Sequence, residues 1–427
     1  MNRSREKISD EVFKRRHSAT DRAFTRLRSL PFSLVLVMVL RNSVKALQNV
    51  VNEVMAWLEQ CPVTASAYSQ ARYKFKHTAF IELNEEAVVR AMYGSNYLTF
   101  WGMRILAVDG SRLILPNTEE VRQAFGTLPH TNGRDAGRLG EHPYATASVL
   151  FDVLNRVALD ATLGCAKAYE VDLAVAHLPH TRPGDLLIMD RNYASYRMLA
   201  EFVHRGRDFV IRCSAASFGP AQRMMRGEGP DSQIVTLVPC AAQAGPVRQL
   251  GLPASIKARF VRVLLNTGEW EVLVTSLLDE IRYSTTEFRS LYAWRWGIET
   301  FYGLLKTRLE LENFTGNGAE AVRQDFHATI YLSGLESILT EPAQARLDAR
   351  TTRYPQAVNR SVSFNAIKMA ALELLSSDLN LEPLLERLTQ LFQTSPVTVR
   401  PDRSPPRRKP SDRVSLNFHK RKKKHGL

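Results

Sequence analysis

Apolar positions recur at helical spacing from Pro31 to Leu58 and again from Thr64 to Met92, with a break at Cys61-Pro62. This spacing predicts an all-helical region over the first ninety or so residues. From Arg104 the pattern shortens to strand-like apolar runs: Ile105 to Val108, Leu113 to Leu115, Ala145 to Val153, Arg156 to Leu163 and Leu186 to Met189. Only Leu154-Asn155 separates the two longest, which predicts a hairpin. Helical spacing over Ala168 to His177 and Ser195 to His204, each followed by a strand, gives a mixed α/β layout built on one sheet. Gln233 to Val238, Ala258 to Leu265 and Glu271 to Leu277 then form a β-rich stretch broken by Gly and Pro. One long helix is expected from Ser284, where Ser284-Thr285-Thr286-Glu287 has the form of a capping box. Further helices are expected over Ala319 to Leu339, Phe364 to Leu375 and Leu381 to Phe392, and there are no internal repeats.

Charge changes the picture at the two ends. The net charge is +14; residues 1–30 hold nine Lys/Arg against four Asp/Glu, and residues 400–427 hold eleven against two. Those excesses of five and nine account for the whole. The middle of the chain is neutral, and a polyanionic partner is favoured, because phosphate neutralisation by Lys and Arg drives sequence-independent affinity. The tail beyond Ser395, rich in Pro, Arg and Lys and including Lys420 to Lys424, is expected to be disordered. The apolar run Phe32 to Leu40 is too short to span a bilayer and reads as a buried helix. Cys61, Cys165, Cys213 and Cys240 are isolated, with no zinc-like spacing, which fits a reducing cytoplasm.

Candidate chemistry begins with Asp109, which ends the run Arg104 to Val108 and precedes Gly110-Ser111. Asp190 repeats the arrangement after Leu186 to Met189 and precedes Arg191-Asn192-Tyr193. Two such acids are either unrelated turns or, if the strands are neighbours, a carboxylate pair that needs cations. A third feature favours the second reading. On a continuous helix Tyr292, Arg295, Glu299 and Lys306 fall within an arc of roughly 60°, a one-faced stripe in which a metal-binding Glu is flanked by groups able to grip phosphates. Near the start, Ser66 to Lys76 interleaves basic and aromatic residues, including Arg72 and Lys74; taken alone, it reads as an amphipathic helix with a solvated face.

The spacing Y-x2-R-x3-E-x6-K, met by Tyr292, Arg295, Glu299 and Lys306, resembles the signature of DDE transposases of bacterial insertion sequences in the insertion-sequence-four group. Val108-Asp109-Gly110-Ser111, Asp190-Arg191-Asn192-Tyr193, and Ser66-Ala67 through Arg72 and Lys74 agree in order and spacing, from about Phe24 to Phe314. The resemblance implies a ribonuclease-H-like mixed-sheet core with a β-rich insert, an N-terminal helical domain and C-terminal helices. The expected division is a basic segment 1–30, a helical DNA-binding domain 31–100, core 101–213, insert 214–280, core 281–340, C-terminal helices 341–395 and a basic tail 396–427.

It also implies function. Asp109, Asp190 and Glu299 would be both catalytic residues and ligands to two magnesium or manganese ions, about 3.5–4 Å apart in such sites. Tyr292, Arg295, Lys306, Arg191, Arg72 and Lys74 would contact DNA. Trp270 stands where relatives carry an aromatic thought to stack on a displaced base; packing in the core is the equal alternative. The activity implied is cleavage at the ends of an insertion sequence and joining of the 3′-hydroxyls to target DNA, by a homodimer on paired double-stranded ends, associated with the nucleoid in the cytoplasm. No nucleotide cofactor is needed, in keeping with the absence of a G-x-x-x-x-G-K-[ST] loop. A nuclease of the same core without strand transfer and an inactive DNA-binding remnant are the competing readings.

Overall fold

The computed structural model describes residues 1–26, 29–41, 45–129, 140–264, 268–376 and 379–400. The chain opens with helices α1 (Asn2–Ser9), α2 (Glu11–His17), α3 (Phe32–Leu40), α4 (Leu47–Trp57), α5 (Ala65–Arg72), α6 (Thr78–Leu83) and α7 (Arg90–Met92), the last two joined by a π-helical turn. Strand β1 (Arg104–Ile114), α8 (Glu119–Phe125), β2 (Thr127–Pro129), β3 (Glu141–Asp152) and β4 (Val157–Cys165) follow. Next come α9 (Glu170–His177), β5 (Asp185–Met189), α10 (Tyr196–His204), β6 (Asp208–Arg212), α11 (Gly219–Met225), β7 (Ser232–Leu237), α12 (Ala241–Gln249), β8 (Ile256–Leu264) and β9 (Trp270–Thr275). The last part holds α13 (Phe288–Ala293), α14 (Trp296–Thr307), α15 (Ala319–Asp348), β10 (Gln356–Ala357), α16 (Arg360–Met369), α17 (Ala371–Leu375), α18 (Glu382–Thr394) and β11 (Val397–Thr398). These elements divide into two units, one of Met1–Ser95, Arg112–Ala145 and Gly303–Leu427, the other of Asn96–Ser111 and Thr146–Tyr302.

In the second unit the strands run in the order β4-β3-β1-β5-β6-β9-β8-β7. Strands β3 and β4 are joined by a tight turn in which the Asp152 carboxylate accepts from the Leu154 and Asn155 amides, so they form the expected antiparallel hairpin. Strand β5 is parallel to both β1 and β6; its crossover to β6 carries α10, as parallel neighbours require. Hairpin, β1, then two parallel strands linked through helices is a ribonuclease-H-like order. Ile105 to Val108 and Leu186 to Met189 are all buried, which is why these strands read as unbroken apolar runs instead of alternating ones. Where β1 and β5 begin, Arg104 makes a bidentate pair with Asp185, with both contacts at 2.6 Å. Insert strands β9, β8 and β7 pair antiparallel in turn and extend the sheet outward from β6.

Two expectations change here. Leu113 lies within β1, which runs to Ile114, and does not start a separate strand. The helix expected to run unbroken from Ser284 is interrupted: α13 ends at Ala293, and Trp294 and Arg295 make short i→i−3 bonds before α14 begins. Tertiary packing imposes the break. Trp294 stands edge-on to Phe100, Phe288 edge-on to Trp101, and Gly297 sits so close that an added Cβ would lie 3.3 Å from Val153. Nor does the capping box form; the Ser284 hydroxyl pairs with that of Thr286, and the Glu287 amide bonds the Ser284 carbonyl.

In the first unit α15 is the central element, 30 residues long, with α3, α6, α16 and α18 packed on it. Gly334 admits Val88 against its backbone, since a Cβ there would meet Val88 at 2.4 Å. The apolar run of α3 is buried along its length, and no described helix is long and apolar enough to cross a membrane. Strand β11 pairs with β10, so ordered chain extends past Ser395, the expected start of the tail. Lys420 to Lys424 lie outside the described residues.

Candidate active site

The parallel register of β1 and β5 runs from Arg104 opposite Asp185 to Ala107 opposite Ile188; Asp109 lies two residues further along β1, and Asp190 directly follows β5. One Asp109 oxygen accepts from the Gly110 amide at 2.8 Å. One Asp190 oxygen accepts from the Asn192 amide at 2.8 Å and caps a short 3-10 turn, Arg191–Tyr193. Glu299 stands in the first turn of α14, where Arg295 donates to it at 2.8 Å.

Burial pushes the Asp109 carboxyl up to about 7, the charges of Asp190 and Glu299 push the same way, and the Gly110 amide and Arg295 oppose them. Arg295 is buried, stacks over Trp296 at 4.6 Å, and leaves its Nε without a hydrogen-bond partner among the described residues. Among the described residues no three His, Cys, Asp or Glu side chains lie close enough together to grip one ion as they stand. Each acid instead has an internal partner: a backbone amide for Asp109 and Asp190, the guanidinium for Glu299. The donor set fits a hard divalent cation, because it offers only carboxylate oxygens.

The other sequence-derived residues fall in three settings. Tyr292 does not face solvent: it is buried, and its hydroxyl donates to the Met189 carbonyl at 3.3 Å, which ties α13 to the end of β5 just before Asp190. Arg191 is exposed beside Asp190. Trp270 is 40% exposed at the start of β9, with the Arg262 guanidinium 4.7 Å from its ring centre, so it is not a core residue. Lys306 belongs to the first unit, where it donates to the Arg112 carbonyl at 2.6 Å. Arg72, also there, is buried and bonded to Asp325, Gln324, Thr315 and the Ala321 carbonyl, so it is a core residue and not a DNA-facing one. Lys74 is exposed and lines a groove of about 690 Å³ with Arg22, Arg26 and Gln70.

Sequence reasoning missed three side chains beside the acids. The Tyr302 hydroxyl donates toward the Asp109 carbonyl at 2.9 Å and the Ala147 carbonyl at 3.2 Å, fixing α14 to β1 and β3. Tyr193 is fully buried, and Glu170, in the first turn of α9, lies over Gly110. Tyr193 was in view as part of Asp190-Arg191-Asn192-Tyr193, and Tyr302 is three residues beyond Glu299. Nothing local marks Glu170, because its place depends on the crossover that seats α9.

The fold is a ribonuclease-H-like mixed sheet that carries Asp109 within β1 and Asp190 directly after β5, with Glu299 on α14. Residues 100–333 match the transposase DDE domain family, and the chain belongs to that family, as the signature around Glu299 led one to expect. It is similar to "Transposase InsG for insertion sequence element IS4" of Escherichia coli (strain K12), 26% identical over 257 residues that make up 59% of this chain and 55% of that protein. The chain thus matches about half the length of that curated relative. Among solved structures it resembles the piggyBac transposase synaptic complex with hairpin DNA, at 10% identity and a TM-score of 0.45, over 92% of this chain and 81% of that one.

Proposed function

We propose that the chain is a DNA transposase that cuts the ends of an insertion sequence and joins the freed 3′-hydroxyls to target DNA. The observation that supports this reading is a largely buried Asp109 on which the charges of Asp190, Glu299 and Arg295 all bear, with Arg295 bonded to Glu299. Asp109, Asp190 and Glu299 would hold two magnesium or manganese ions, which when bound supply an activated nucleophile and a stabilised leaving oxygen. Arg295, with its unpartnered Nε, would grip a phosphate oxygen, and exposed Arg191 adds positive charge along the backbone. In the first exchange a water oxygen bonds to phosphorus as the bond to the 3′-oxygen breaks. In the second, that 3′-hydroxyl attacks a target phosphodiester and displaces its 3′-oxygen, so no external energy source is consumed.

The groove lined by Arg22, Arg26 and Lys74 supports double-stranded DNA as the partner, because its cations neutralise phosphates. Half-exposed Trp270, stacked on Arg262, supports a role in holding an unpaired base. Pairing of two ends calls for a homodimer, seen as a doubled mass by light scattering when end DNA is added. Glu299→Gln tests the central reading: it removes one carboxylate charge from the site, so magnesium-dependent nicking should be lost while end DNA is still bound. In the same assay Trp270→Ala should slow end processing without unfolding the insert. Full nicking by Glu299→Gln overturns the reading.

A further inference from the structure

Beneath Asp109 lie groups that the proposed chemistry does not use. Tyr193 is fully buried, yet its hydroxyl has no hydrogen-bond partner among the described residues. An unbonded buried hydroxyl is costly and calls for an explanation. Besides its burial, the charges that bear on it are those of Asp109, Glu170 and Asp190, all negative. The neighbouring phenol, Tyr302, feels Asp109 and Glu170 too, but its hydroxyl already donates to backbone carbonyls. Tyr193 is therefore a buried donor with no acceptor among the described residues, and three acids bear on it.

Glu170 supplies the second observation. A Cβ added at Gly110 would come within 3.0 Å of its Oε1 and Cδ. The absence of a side chain at residue 110 thus lets the Glu170 carboxyl lie against the backbone one residue past Asp109. The charges of three acids, from β1, the residue after β5 and the start of α9, bear on one buried phenol.

We propose that Glu170 is a fourth carboxylate of the metal site and that the Tyr193 hydroxyl is a positioning group that donates into that site when it is occupied. This rests on the three-carboxylate reading above. Partners of this kind orient the direct ligands and strengthen ion binding without contacting the DNA.

The test is Mn2+ binding to the full chain, read from the paramagnetic resonance signal of the free ion, with folding checked by circular dichroism. Asp190→Asn reports on the three-carboxylate reading itself and should lose binding. Glu170→Gln should weaken it about 10- to 100-fold. Tyr193→Phe should weaken it roughly fivefold, the effect of one hydrogen bond, while the metal-free protein stays as stable as wild type or gains stability, which a merely structural tyrosine would not show. If Glu170→Gln fails to fold, Glu170→Asp keeps the charge but withdraws it by one methylene, and should also bind Mn2+ more weakly. Wild-type affinity in a folded Glu170 variant, with Asp190→Asn impaired, overturns the inference alone. Wild-type affinity in Asp190→Asn overturns the underlying reading and the inference together. Wild-type affinity in Tyr193→Phe removes the tyrosine from it.

Discussion

Arg72 and Arg295 are both buried arginines, and their partners separate their roles. Arg72 bonds to Asp325 at 2.7 Å, and its remaining donors meet Gln324, Thr315 and a carbonyl, so its hydrogen-bonding capacity is satisfied within the first unit. Replacing one partner of such a pair leaves the other charge buried and alone. Arg72→Met is thus expected to lower stability by about 3–5 kcal/mol in urea unfolding, with end-DNA affinity of the folded fraction unchanged. Arg295 instead keeps a buried, unpartnered Nε beside Glu299. The sequence presented both as basic residues near aromatics, and could not separate them because the Asp325 that claims Arg72 lies 253 residues away. Glu82 shows the same dependence on distant partners. Burial pushes its carboxyl up, but hydrogen bonds from Lys7, His17 and Arg16 outweigh that and hold it down at about 2. Its folded value lies below its unfolded one, so its stabilisation is present above about pH 4.5 and is lost as pH falls toward 2. Urea midpoints measured from pH 6 to 2 should therefore fall less steeply in Glu82→Gln than in wild type, starting from a lower value.

At the scale of elements, the site depends on how α14 meets β1 and β3. Tyr302 fixes that contact through one hydroxyl, and the stacked pair Phe151 and Phe301, 4.3 Å between ring centres, fills the space beside it. Tyr302→Phe should cost about 1 kcal/mol in urea unfolding and reduce nicking more than it reduces DNA binding, because Glu299 moves with the helix. Equal losses of nicking and binding would contradict this. The strands β1 and β5 were legible because both faces are covered, leaving apolar runs that end abruptly at Asp109 and Asp190. The break between α13 and α14 was not. Helical spacing continues through Trp294 and Arg295, and only packing against Phe100, Trp101 and Val153, all remote in the chain, interrupts it. The stripe of Tyr292, Arg295, Glu299 and Lys306 therefore holds as a spacing but not as one helix face: Tyr292 is a buried residue of α13, Arg295 sits in the break, and α14 carries the other two.

At the scale of the whole molecule, one set of elements carries the account: a hairpin, two parallel strands, one holding Asp109 and the other followed by Asp190, an insert that extends the sheet, and a helix that bears Glu299. That order was legible in the sequence because each acid directly follows or lies within a periodic segment. Glu170 and Tyr193 were not, since their nearness to Asp109 exists only once α9 is seated and Gly110 leaves room for a carboxyl. The most direct measurement supplies pre-cut end DNA with free 3′-hydroxyls and a circular target, and follows joined product with Mg2+ or with a chelator for wild type and Asp109→Asn. The expected result is joined product from wild type with Mg2+ alone, and none from wild type with chelator or from Asp109→Asn, although both still bind the ends. Joining by Asp109→Asn at the wild-type rate, or by wild type in chelator, would contradict the account.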